Sequence, residues 1–138
     1  MSRVSPWLVL AAVALSAGAC GPQIELVEPF GAVNWSPHDG AAGVDPKWQP
    51  MVCLSRPVDA TTLGAAVIFE ADDQGEPTTV SSGKAPELVA EDPACILFGS
   101  VPTLSVRQGY VIVLGEELKA EDGTQLGRRL TAGFTTGG

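Results

Sequence analysis

A chain of 138 residues that is 45% hydrophobic and 17% charged has the length of one domain and enough apolar material for a core, which excludes disorder for its bulk. Its 16 acidic residues against 8 basic ones leave a formal charge of −8, and such a surface repels nucleic acid and anionic lipid. The first use of that charge is solubility, and no nucleic-acid partner is expected.

At the start of the chain, Arg3 precedes an apolar run from Trp7 to Leu15 that ends in Ser16, Ala17, Gly18 and Ala19, just before Cys20. This is the layout of a secretory signal peptide over residues 1–19. The run is shorter than the roughly 20 apolar residues a bilayer core needs, which argues against a spanning helix. Small residues followed by cysteine resemble the lipobox of bacterial lipoproteins, with Ala17 standing where leucine is commonest. The resemblance implies that Cys20 becomes the acylated first residue of the mature chain, so that the membrane is a partner through Cys20. More than one acyl chain would hold the protein there stably. Gly21 in place of aspartate implies, again by resemblance, passage to the outer membrane, with the domain facing the periplasm or the outside. Losing Arg3 with the leader would bring the formal charge to about −9.

Residues 20–31 read as a lipidated terminus and tether, punctuated by Pro22, Pro29 and Gly31. The alternation of Ile24, Glu25 and Leu26 offers a short edge strand as the competing reading, although Val27 breaks its parity. Short apolar runs then recur between turn signals over residues 32–138, with no amphipathic run long enough for a full helix. Strands are expected at 32–36, 50–55, 66–70, 78–82, 94–99, 108–114 and 130–135. The turns between them have identifiable causes in Pro37 to Gly40, Asp45 with Pro46, Asp72 to Gly75 and Glu121 to Gly123. Asp59 can cap free amides and start one helical turn whose Leu63 drops into the core. The pattern is that of an all-β sandwich with about seven strands, in a single module with no internal repeat.

Within that span, Ser36 and Pro37 with Asp39, Gly40, Ala41, Gly43 and Val44 form one group of residues. Ser55, Pro57, Val58, Asp59, Thr62 and Leu63 form a second, and Leu104, Tyr110, Asp122, Gly123, Leu126 and Phe134 to Gly137 complete the set. In this order the chain resembles a bacterial Ig-like domain of the kind found in S-layer and other surface proteins, from about Val33 to Gly137. The resemblance implies an immunoglobulin-like β-sandwich and says little about function, since such modules serve as spacers or binding units. The two cysteines of the domain and Pro50 inside an expected strand depart from the pattern. Gly40 and Gly43 allow the backbone angles of a tight loop, and Tyr110 can bury its ring while its hydroxyl reaches a backbone group, as in a tyrosine corner.

Alternation places Val52 and Leu54 on one face of their strand and Met51, Cys53 and Ser55 on the other. It likewise separates Ile96 and Phe98 from Cys95 and Leu97. By order these runs correspond to the second and fifth strands of the sandwich, antiparallel neighbours in one sheet. A Cys53–Cys95 disulfide on the outer face is therefore expected, and with Cys20 lipidated it leaves no thiol unpaired.

Catalytic residues are not expected. His38 is the one histidine and sits in a Pro- and Gly-rich turn, no serine has the context of a nucleophile elbow, and no thiolate remains. No cofactor is implied. Asp72, Asp73 and Glu76 around Gly75 are weak calcium candidates, as is Glu121 with Asp122, and neither set matches an EF-hand loop. If Tyr110, Ile112 and Leu114 face the core, Val111 and Val113 point outward and form a candidate partner surface, against the plainer account that β-branched residues favour strands. The combined expectation is a non-catalytic, lipid-anchored envelope protein whose Ig-like domain is a binding or structural module. Its partner would be another envelope protein or a surface polymer; the alternative is a calcium-dependent adhesion module.

Overall fold

The computed structural model describes residues 29–81, 83–99 and 102–138. The leader, Cys20 and the expected tether up to residue 28 lie outside the described residues.

Among the described residues nine strands form two sheets: β1 Ala32–Ser36, β2 Ala41–Val44, β3 Met51–Leu54, β4 Ala66–Ala71, β5 Pro77–Val80, β6 Pro86–Val89, β7 Asp92–Phe98, β8 Gly109–Leu114 and β9 Leu130–Thr136. One sheet runs β1-β3-β7-β6 and the other β2-β9-β8-β4-β5. The fold is an all-β, immunoglobulin-like sandwich. Each of the seven expected strands is present, with no end moved by more than two residues.

Two strands were not expected. In β2 the sequence Ala-Ala-Gly-Val has one branched residue, Val44, and no aromatic one, and Gly43 sits at φ +67°. It is held by parallel pairing to β9, through Ala41 with Phe134 and Val44 with Thr136, a contact no local pattern announces. The other, β6, opens on Pro86 and lies at a sheet edge, the position where a strand tolerates a residue without an N–H. Pro50, expected inside a strand, lies just before β3, buried, with its carbonyl accepting the Phe98 amide at 2.8 Å.

Period-two alternation fills the space between the sheets. Val52, Leu54, Ile96 and Phe98 come from one sheet and Ile68, Tyr110, Ile112, Leu114 and Phe134 from the other, joined by Val58, Leu118 and Leu126 from the connections. Phe30 is 3% exposed and belongs to this core, so the domain takes hold of the chain before the expected end of the tether at residue 31. Ser55 fastens that segment: the Gly31 amide donates to its Oγ at 3.1 Å, and its hydroxyl donates to the Pro29 carbonyl at 3.1 Å.

Two expected local devices are in place. Asp59 Oδ1 accepts the Thr61 amide at 3.0 Å and caps a 3-10 turn over Ala60–Ala65, whose Leu63 packs against the core. The Tyr110 hydroxyl accepts the Ser105 amide at 2.7 Å, and the Tyr110 ring lies 5.6 Å from that of Phe134.

Candidate functional site

Cys53 and Cys95 are directly opposed in the β3–β7 register and joined by a disulfide, with Cα atoms 3.9 Å apart. The short separation is that of a non-hydrogen-bonded antiparallel pair. Both lie on the outer face, where Cys95 is 5% exposed and Cys53 half-buried.

The expected Val111 and Val113 surface is corrected. The two residues sit on the outer face of β8 as their parity requires, yet they are 5% and 7% exposed. β8 is a central strand: Val111 is flanked by Phe69 and Gly133, and Val113 by Val67 and Thr131. With a paired strand on each side, neither short branched side chain faces an open sheet edge, and no accessible strip is left.

Of the calcium candidates Asp72, Asp73 and Glu76, Asp72 serves the turn that carries it. Asp72 Oδ1 accepts the Gln74 amide at 2.9 Å and the Glu76 amide at 2.8 Å, organising the β4–β5 hairpin. Among the described residues no three His, Cys, Asp or Glu side chains gather as metal ligands. His38 is an exposed turn residue whose carbonyl accepts the Ala41 amide.

Among the described residues three groups titrate away from their ordinary values, each for a structural reason. The Thr61 hydroxyl and amide hold Asp59 low, and Thr124, with Arg56 beside it, holds Asp122 low. Burial lowers Lys84, whose ammonium donates to the Gly99 carbonyl at 2.6 Å.

The feature that stands out is Trp48, 46% exposed in the β2–β3 connection. Large aromatic side chains are usually mostly buried, so a presented indole is informative. Its loop is fixed: Asp45 Oδ1 accepts the Lys47 amide at 2.9 Å, and the Asp45 carbonyl accepts the Trp48 amide at 2.8 Å. The Pro46 carbonyl takes the Leu104 amide at 3.0 Å, tying the loop to the segment beside the Tyr110 corner. On one side of Trp48 lies a depression of about 530 Å³ lined by Ser36, Lys47, Trp48, Gln49, Met51 and Leu97. Its floor follows from sheet register, since Ser36, Met51 and Leu97 form one cross-strand row beside the disulfide row. A second depression, of about 310 Å³, lies among Pro37, Val44, Asp45 and Trp48. Sequence reading passed over Trp48, although a signal existed: an aromatic residue between Pro46 and Pro50, in a polar turn, has no strand to carry it into a core.

No protein-family model and no curated protein matches the chain. Among solved structures it is similar to CopC from Methylosinus trichosporium OB3b, at 18% identity and TM-score 0.54 over 78% of this chain and 93% of that one. It is also similar to the surface layer protein SbsC, domains 1–6, at 18% identity and TM-score 0.57 over 80% of this chain. The S-layer protein rSbsC(31-844) gives 19% identity and TM-score 0.55 over 80% of this chain. The match covers 14% of each SbsC chain, about one module of a longer protein. At such identities the likeness is one of fold.

Proposed function

We propose that the protein is an exported, non-catalytic binding module of the cell envelope, anchored at the outer membrane through a lipidated Cys20 and meeting its partner on the Trp48 face. The observation that carries the reading is the presented indole of Trp48, standing on a loop braced at Asp45 and Pro46 above the cross-strand row of Ser36, Met51 and Leu97. Binding residues are commonly borne on loops positioned by a rigid scaffold, and tryptophan is enriched where surfaces contribute binding energy. Likeness in fold to modules of a surface layer protein agrees with an envelope setting.

Two measurements test the two halves of the proposal. Labelling with radioactive palmitate should mark the wild-type protein and spare Cys20→Ala, which should also leave the membrane fraction; an unlabelled wild-type protein removes the anchor. The purified protein should sediment with envelope fragments, and Trp48→Ala should not. Equal sedimentation of the two would place the contact elsewhere, whereas sedimentation lost in chelator would favour calcium-dependent adhesion.

A further inference from the structure

The two sulfurs of the outer-face bridge stand in different surroundings. Cys53 on β3 is half-buried, whereas Cys95 on β7 is 5% exposed and has Asp92 Oδ2 at 3.4 Å from its Sγ. A bridged sulfur has no proton to donate, so a negative charge faces Cys95 with no hydrogen bond between them. Asp92 is held there by its own turn, its Oδ1 accepting the Ala94 amide at 3.2 Å.

A disulfide opens when a thiolate attacks one sulfur and the other leaves as a thiolate, so negative charge gathers on the incoming and outgoing sulfurs together. Attack at Cys95 brings the incoming anion to the carboxylate, and attack at Cys53 releases the outgoing anion beside it. Both routes are slowed, and access chooses between them. Burial of Cys95 adds to the cost of charging its sulfur. Cysteines that react readily sit in electropositive surroundings, and here the reverse holds: strands β1, β3, β6 and β7 carry Glu87 and Asp92 and no basic residue.

We propose that Cys53 is the sulfur of the bridge at which an external thiol joins the protein, and that Asp92 slows the opening of the bridge. In this step the thiolate bonds to Cys53 Sγ as the Cys53–Cys95 bond breaks, and the electron pair departs on Cys95 Sγ, which then takes a proton from water. A second thiolate of the reductant displaces Cys53 from the mixed disulfide. Two thiols of the reductant become one disulfide, and the protein gains two thiols. Asp92 acts through its charge and touches no reductant.

The test uses the full chain carrying Cys20→Ala, whose remaining cysteines are Cys53 and Cys95, under native conditions with glutathione. After a brief exposure, an acid quench and alkylation in denaturant, peptide mass spectrometry should find glutathione on Cys53 and the alkyl group on Cys95. Glutathione on Cys95, or on both equally, overturns the assignment. Opening no faster than global unfolding also overturns it, since neither sulfur is then reached in the folded domain. For the carboxylate, the rate of reduction by dithiothreitol is compared between this protein and its Asp92→Asn form, in which an amide oxygen can still accept the Ala94 amide. The asparagine form should open at least roughly threefold faster, since exchange rates follow thiol acidity with a slope of about one half. Amide exchange along β7 should stay unchanged. An equal rate of reduction removes the role of Asp92, and a faster rate with accelerated amide exchange along β7 assigns the effect to a loosened strand instead.

Discussion

Cys53 and Cys95 face each other across β3 and β7 and close a loop of 42 residues in sequence separation. Restricting the unfolded chain by a loop of that size stabilises a domain by roughly 3 to 4 kcal/mol on the chain-entropy account. Replacing both cysteines with alanine is expected to lower the unfolding free energy by about that amount, read from urea denaturation of the two proteins. A change well under about 1 kcal/mol would show that the unfolded chain is already compact across this loop.

Tyr110 joins the core to the β7–β8 connection through one hydrogen bond. Its hydroxyl accepts the Ser105 amide at 2.7 Å, while its ring packs on Phe134. Tyr110→Phe keeps the ring and strands that amide, so a loss of about 1 to 2 kcal/mol is expected in urea unfolding. Amide exchange at Ser105 should accelerate more than exchange in β8, because the damage is local.

Much of this architecture was legible in the sequence because one face of each strand is buried. Val52 and Leu54 against Cys53, and Ile96 and Phe98 against Cys95, fix the parity of β3 and β7, and parity fixed the outer-face clasp. What was hidden depends on partners distant in the chain. β2 exists because β9 reaches it, and Val111 and Val113 are buried because β4 and β9 flank β8 on both sides. Periodicity reports which face a side chain takes and says nothing of how far its neighbours cover it. Trp48 was missed for the complementary reason: it belongs to no periodic element, and its exposure is set by the turn at Asp45.

Two carboxylates set the acid limb of stability. The Thr61 hydroxyl and amide hold Asp59 below its ordinary value of 3.8, and Thr124, then Arg56, do so for Asp122. A depressed carboxylate stabilises the fold above its unfolded value, and that contribution is lost as pH falls through the folded one. The urea midpoint should therefore drop as pH is lowered from about 5 toward 2. In the double variant Asp59→Asn with Asp122→Asn the drop should be shallower, because an amide oxygen still accepts the turn amides and has no proton to gain. An identical slope in both proteins would assign the acid limb to other groups.

Lys84 governs the alkaline limb, with the opposite sign. It is 5% exposed, donates to the Gly99 carbonyl, and pairs with no carboxylate among the described residues, so burial lowers it from the ordinary 10.5. Below its folded value the ammonium is charged in both states and the cost of burying it is fully present. As pH rises through that value toward 10.5, the folded amine sheds its proton more readily than the unfolded one and stability is gained. Wild-type stability relative to Lys84→Met should accordingly climb across this window, measured as the difference between their urea midpoints, which cancels what the two proteins have in common. Near neutrality the methionine variant should be at least as stable as wild type, since an apolar side chain of similar length removes an unpaired buried charge. A variant that is weaker near neutrality, with a difference that does not change with pH, would mean that the bond to Gly99 outweighs the burial of the charge.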